Sequence, residues 1–126
     1  MSQDVVADGL NMIKNAKQAG KEKIIIKKIS NLLIGVLKIM KSEGAVQRYK
    51  IDKENKSVEV TIGDLMESKA VKPRFTVNKK QIEKYKRRYL PARNIGTLIV
   101  STNKGLMKHE EAQKNEMGGC LIAYFY

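Results

Sequence analysis

The sequence predicts an α+β fold built from two small lobes. Two N-terminal segments repeat their apolar residues at helical spacing, whereas most of the remaining segments alternate or form short β-branched runs. A length of 126 residues, 42% of them hydrophobic, suits one domain of ordinary size or two small lobes that share an interface. We therefore predict an N-terminal α-β-α-β-β lobe over residues 1–66, packed against a mainly β C-terminal lobe with short helices over residues 67–126.

The N-terminal half carries clear start and stop signals. Val6, Leu10 and Ile13 form one apolar stripe of a helix, and Ser30 is a typical N-cap for a second helix that Gly44 closes. The isoleucine run between the helices and the alternating valines after them are typical of strands. The predicted elements are a helix over residues 4–17, a strand over 22–28, a helix over 31–43 and strands over 45–51 and 57–62.

The C-terminal half has shorter and more mixed patterns. Pro73 favours an edge or bulge position for the first strand, Asn78 can cap a short helix, and Pro91 ends that helix. The predicted elements are a strand over residues 71–77, a helix between Asn78 and Leu90, a buried strand over 97–100, a polar loop over 101–105, an acidic helix over 108–115 and a strand over 121–126.

The positive charge of the chain is concentrated in one stretch. The sequence has 25 Lys and Arg residues against 13 Asp and Glu residues, a formal net charge of +12. Residues 69–93 hold ten of the basic residues and one acidic residue, so they contribute +9 of that total. Phe75, Tyr85 and Tyr89 lie among these cations, which favours a surface that offers rings to bases over a merely solvated face. The surplus predicts a polyanionic partner, most often nucleic acid.

Other classes of protein are disfavoured by what the sequence lacks. A single cysteine, Cys120, and a single histidine, His109, leave no internal disulfide, no cysteine-based zinc cluster and no His–His metal pair. We expect Cys120 to be a small buried hydrophobe, and His109 to lie on an exposed helix start beside two glutamates rather than to act in acid–base catalysis. The longest aliphatic run is too short for a membrane helix. The sequence thus predicts a soluble cytoplasmic protein that is not an enzyme and needs no cofactor or metal.

The stretch from Ser101 to Gly105 combines the groups that recognise RNA. Two hydroxyls, an amide and an ammonium stand side by side after a buried strand, and Gly105 permits a close backbone approach. An ordinary polar turn is the alternative reading of this stretch. Gly118 and Gly119 have the same ambiguity, since they can end a helix or leave room for an RNA backbone.

Several segments of the sequence resemble one family. VSTNKGLMKHEEAQKNEMGGCLIAYFY is similar to the C-terminal block of the small-subunit ribosomal protein eight family. VADGLNMIKNA and SNLLIGVLKIMKSEG resemble its two helices, whereas VKPRF and KRRYLPAR resemble its archaeal and eukaryotic branch. The resemblance implies a structural constituent of the small ribosomal subunit that binds a helical junction in the central domain of its rRNA beside neighbouring small-subunit proteins. It also allows a translational repressor that binds mRNA with the same surface.

The resemblance and the charge pattern together assign the expected RNA contacts. The resemblance implies contacts from Ser101, Thr102, Asn103, Gly105, Gly118 and Gly119, and from Lys14, Asn15 and Ser30 in the N-terminal lobe. The charge pattern adds phosphate contacts from Lys72, Arg74, Lys86, Arg87, Arg88 and Arg93, and the stretch from Ser101 to Gly105 adds one from Lys104. One departure from the family pattern is Glu116, which stands where a glycine is common before the Gly-Gly pair.

Overall fold

The structure is a computed structural model that describes residues 5–71, 76–91 and 95–126. The chain divides into two compact units, residues 1–69 and 70–126. The described residues form helices and two antiparallel sheets, which confirms the predicted α+β class.

The first unit packs two helices on one side of a three-stranded antiparallel sheet. Its elements are α1 (Val5–Gln18), β1 (Lys23–Ile26), α2 (Asn31–Ser42), β2 (Val46–Asp52) and β3 (Ser57–Ile62). The strand order is β1-β3-β2, so β3 is the central strand. The apolar stripes predicted from the sequence are buried, with Leu10 and Ile13 on α1 and Leu33 and Leu37 on α2 all at most 1% exposed. Burial of these stripes holds both helices in place.

Both helices of the first unit end in the same glycine-dependent motif. In α1 the N–H of Lys21 donates to the Ala16 carbonyl, and in α2 the N–H of Ala45 donates to the Met40 carbonyl. The residue before each donor has positive φ, 80° at Gly20 and 84° at Gly44. This is the Schellman arrangement, in which a left-handed residue allows the chain to turn back and satisfy the last carbonyls.

The second unit is a mainly β layer with two short helices. Its elements are β4 (Ser68–Ala70, at the boundary between the units), β5 (Thr76–Val77), α3 (Gln81–Tyr89), β6 (Thr97–Thr102), β7 (Gly105–Lys108), α4 (His109–Lys114) and β8 (Gly119–Phe125). The sheet has the order β4-β8-β6-β7, and β5 also pairs with β8. Its core includes Ile82 from α3, Leu98 and Val100 from β6, Ala112 from α4 and Leu121 from β8.

The structure corrects several expectations for this unit. The predicted polar loop over residues 101–105 is a β-hairpin, since Ser101 and Thr102 belong to β6 and Gly105 begins the unpredicted strand β7. Strand β4 is not among the predicted elements. The strand predicted over residues 71–77 is seen only as Thr76–Val77, and its middle lies outside the described residues.

Candidate nucleic-acid interface

The β6–β7 hairpin has a tip that is fixed by the side chain of Thr102. Thr102 pairs with Gly105 across the turn. Its Oγ1 donates to the Gly105 carbonyl at 3.0 Å and accepts the N–H of Lys104 at 3.1 Å. Gly105 has a φ of 109°, which favours glycine. The turn therefore holds Asn103 and Lys104 at an exposed tip, while the Thr102 hydroxyl is engaged within the protein.

The Gly-Gly pair packs closely against two strands: Gly119 lies against Ser101 of the hairpin, and Gly118 lies against Val77 of β5. A Cβ at Gly119 would collide with the carbonyl oxygen of Ser101, and one at Gly118 would lie 2.5 Å from the Val77 carbonyl oxygen. The next residue, Cys120, pairs with Ser101. The structure thus brings Ser101, the hairpin tip and Gly118–Gly119 together on one surface of the second unit, which we call the hairpin–glycine surface.

Helix α4 leads into this surface through a turn at Glu116. The N–H of Met117 donates to the Ala112 carbonyl at 2.8 Å, and that of Glu116 donates to the Gln113 carbonyl at 3.1 Å. These bonds form the same Schellman motif that ends α1 and α2, but the left-handed position, with φ 55°, is held by Glu116 instead of glycine. The exposed carboxylate of Glu116 lies 3.8 Å from the Lys79 ammonium.

The predicted contacts of the N-terminal lobe lie in the first unit, and two of them have structural roles there. The Lys14 ammonium lies 2.8 Å from the Glu67 carboxylate, with both side chains about three-quarters buried. The Ser30 hydroxyl caps α2 by accepting the N–H of Leu33 at 3.1 Å. Asn15 has an exposed side chain near the end of α1.

The predicted basic residues of α3 differ sharply in exposure. Arg87 and Arg88 are exposed, whereas the Lys86 side chain is only 17% exposed and lies 3.9 Å from Glu83. Lys80 is not among the expected contacts, although it is exposed and lines one shallow depression with Glu83, Lys84, Arg87 and Arg88. The four-residue spacing from position 80 to 84 and 88 is the signal that could have found it. Lys72, Arg74 and Arg93 lie outside the described residues.

His109 is buried, contrary to the expectation of an exposed helix start. Its side chain is 1% exposed, and its Nδ1 accepts the N–H of Leu98 at 3.0 Å. Burial lowers the pKa of the imidazole below its usual 6.5, and the nearby Lys86 ammonium lowers it further. His109 is therefore a neutral core residue that ties α4 to the start of β6. Cys120, expected to be buried, is half-buried with its thiol free.

The described residues also bear on two other kinds of site, a metal site and a membrane span. Among them, no three His, Cys, Asp or Glu side chains meet in a group that could hold a metal ion. None of the helices seen in the described ranges is long and apolar enough to cross a bilayer.

Comparison with known proteins identifies the family. A family model described as Ribosomal protein S8 matches residues 4–126. The chain belongs to this family. Small ribosomal subunit protein uS8 from Nanoarchaeum equitans is 42% identical over 129 residues, covering all of both chains. The protein of the same name from Archaeoglobus fulgidus is 38% identical, again over all of both chains. The resemblance seen in the sequence is thereby confirmed, and this family of ribosomal structural proteins is not an enzyme family.

Proposed function

We propose that this protein is a structural constituent of the small ribosomal subunit in the cytoplasm, where it supports subunit assembly and translation. In this proposal it binds a helical junction in the central domain of small-subunit rRNA and contacts neighbouring small-subunit proteins. The observation that carries the proposal is the hairpin–glycine surface, in which Gly119 meets Ser101 backbone to backbone. This close packing leaves no free space at Gly119 itself, but it holds the exposed Gly118 beside the exposed hairpin tip, where an RNA strand can approach both.

The geometry of the hairpin suits recognition without rearrangement. Thr102 fixes the turn in the free protein, so little conformational entropy is lost when RNA binds. The Asn103 amide can donate to and accept from base edges and ribose 2′-hydroxyls, while the Lys104 ammonium suits a phosphate. Specificity then comes from the mostly uncharged hairpin–glycine surface, and the exposed cations of α3 add a salt-dependent attraction.

A comparison of two hairpins tests this assignment. Lys104 and Lys53 are both exposed lysines, one at the β6–β7 turn and the other at the β2–β3 turn. Lys104→Ala should weaken binding to an rRNA fragment that contains the central-domain junction by roughly tenfold, the scale of one charge-assisted hydrogen bond. Lys53→Ala removes the same charge from a turn outside the proposed surface, so its affinity should stay close to that of the unmodified protein.

Salt dependence provides the second measurement on the same variants. If the protein makes roughly 6–8 phosphate contacts, the logarithm of the association constant should fall against log salt with a slope of roughly −5 to −7. Lys104→Ala should reduce the size of that slope by somewhat less than one, and Lys53→Ala should not change it. Equal losses of affinity in the two variants would refute the assignment of the β6–β7 tip to the RNA site.

A further inference from the structure

Four of the five tyrosines form one row along the second unit. The ring centroids are 6.3 Å apart between Tyr85 and Tyr89, 5.1 Å between Tyr89 and Tyr124, and 6.5 Å between Tyr124 and Tyr126. Neighbouring ring planes differ by 11° to 25°, so the rings are stacked nearly parallel to one another. All four are half-buried and pack against the hydrophobic core. We call this set the aromatic row.

Cations flank the aromatic row on α3. The Lys84 ammonium lies 5.8 Å from the centroid of the Tyr85 ring, and the Arg88 guanidinium lies 5.7 Å from that of Tyr89. Both distances are within the range of cation–π attraction. The rings and the charges therefore belong to one continuous surface.

The charge of this surface is not neutralised within the described part of the chain. Lys80, Lys84, Arg87 and Arg88 are exposed and form no ion pair with any described residue. The one acidic residue of α3, Glu83, is engaged by the Gln113 amide at 3.2 Å and lies 3.9 Å from the Lys86 ammonium. The exposed face of α3 thus presents four cations beside the aromatic row, and the carboxylate of Glu83 lines the same depression.

We propose that the aromatic row and the exposed cations of α3 form a second RNA-binding site, which takes an unpaired segment of RNA. Bases contact the tyrosine rings, and the backbone phosphates of the same segment bind the four cations. The segment is unpaired because bases within a duplex have no free face to offer a ring. An apolar protein partner fits less well, since it would have to bury four cations without counter-charges.

This site is separate from the hairpin–glycine surface. Tyr124 pairs with Leu98, near the opposite end of β6 from Thr102 and the hairpin tip. Four steps from one residue to the next lead along the extended strand from Leu98 to Thr102, a distance of about 13 Å. The inference rests on the proposed function only in taking RNA as the partner, and it assigns a different part of the surface to a different part of the RNA.

Intrinsic tyrosine fluorescence can report on this site directly. The chain has no tryptophan, and Tyr49 is the one tyrosine outside the aromatic row. In the Tyr49→Phe protein, all tyrosine emission therefore comes from the row. We expect an oligouridylate of about 12 nucleotides to quench this emission saturably, because bases stack on the rings. An abasic oligonucleotide of the same length carries the phosphates alone and should quench far less.

Variants separate the contribution of the rings from that of the charges. Tyr89→Leu should weaken oligouridylate binding by roughly fivefold to 150-fold, the range for losing one stacked base, whereas Tyr89→Phe keeps the ring and should bind normally. Arg87→Gln with Arg88→Gln should reduce the size of the log–log salt slope by about 1.4, while Lys114→Gln on α4 serves as the control that changes it less. Circular dichroism of each variant verifies that it is folded, and the arginine pair tests the site even if Tyr89→Leu unfolds.

Two results would overturn the inference. One is equal quenching by the abasic and the uridine oligonucleotides, which would mean that bases do not contact the rings. The other is stronger quenching by polyglutamate than by oligouridylate, which would assign the surface to an acidic protein. Tyr89→Leu should leave binding of the minimal junction fragment within about twofold, whereas Lys104→Ala weakens it. A failure of the aromatic row is thus distinguishable from a failure of the hairpin–glycine surface.

Discussion

Replacing Gly119 with alanine tests whether packing alone requires a glycine beside the hairpin. The added methyl would overlap the Ser101 carbonyl oxygen and would lie 2.9 Å from the Ser101 carbonyl carbon and 3.0 Å from Val100 Cγ1. The first two atoms are backbone in a paired strand and cannot rotate away, so β8 must shift relative to β6. Because overpacking in a tight site costs about 1–3 kcal/mol and a backbone clash belongs at the upper end, we expect a loss of about 2–3 kcal/mol.

Urea denaturation of the full chain, followed by circular dichroism, measures this loss. A thermal scan should show a midpoint lower by about 8–12 °C, since 1 kcal/mol corresponds to about 4 °C for a chain of 126 residues. Cys120→Ala is the matched control on the same strand, where a half-buried side chain becomes smaller and the loss should stay below about 1 kcal/mol.

The same variants separate two reasons for the glycine. If Gly119→Ala is as stable as the unmodified protein, the argument from close packing is refuted. A variant with normal stability that loses affinity for the junction fragment would show instead that the glycine serves the RNA. We expect both stability and affinity to fall, because the contact between Gly119 and the Ser101 backbone stabilises the fold and also holds the Gly-Gly pair beside the hairpin tip.

Three further predictions concern stability. Glu116 has a backbone φ of 55°, which glycine adopts with less strain, so Glu116→Gly should raise the free energy of unfolding by about 1 kcal/mol in urea denaturation. A lower free energy of unfolding would contradict the left-handed cap assigned to this position. His109 has a folded-state pKa below its usual 6.5, so the unfolded state binds the proton more readily and stability is lost as the pH falls below 6.5. Urea denaturation between about pH 7.5 and pH 5.5 should show a slope of up to about 1.4 kcal/mol per pH unit, absent in His109→Gln, and a slope that persisted there would assign the effect elsewhere. Ser30→Ala should lower the free energy of unfolding by about 1 kcal/mol, because it removes the N-cap of α2. Ser30→Asp should keep most of the stability, since aspartate also caps helices, and equal stability of the two variants would argue against the cap.

The sequence predicted best those elements in which a single periodicity dominates. The stripes of α1 and α2 cover three or more turns, and the alternating valines of β3 bury one face, so local pattern and tertiary packing agree. Capping residues then placed the ends of these helices within one residue. Gly20 and Gly44 are the clearest cases, since both take the left-handed conformation that a helix end requires.

The sequence predicted least well where pairing in three dimensions decides the structure. The hairpin strands over residues 97–102 and 105–108 are joined by a short turn, and the residues around it are polar. Polar composition is typical of a loop, so the sequence did not indicate that Ser101 and Thr102 pair with the following strand. His109 follows the hairpin and precedes two glutamates, and only the hydrogen bond from Leu98 shows why it is buried. Glycines present a similar limit, because the sequence does not reveal that Gly119 is needed where β8 approaches Ser101.

Crosslinking within the assembled small subunit can show whether the hairpin–glycine surface touches rRNA. Ultraviolet crosslinking of the intact particle, followed by mass spectrometry of the RNA-bound peptides, identifies the segments that touch rRNA. We expect crosslinks within residues 101–105 and 118–119 to the central domain of the small-subunit rRNA. Crosslinks confined to the first unit, with none in these two segments, would contradict this expectation.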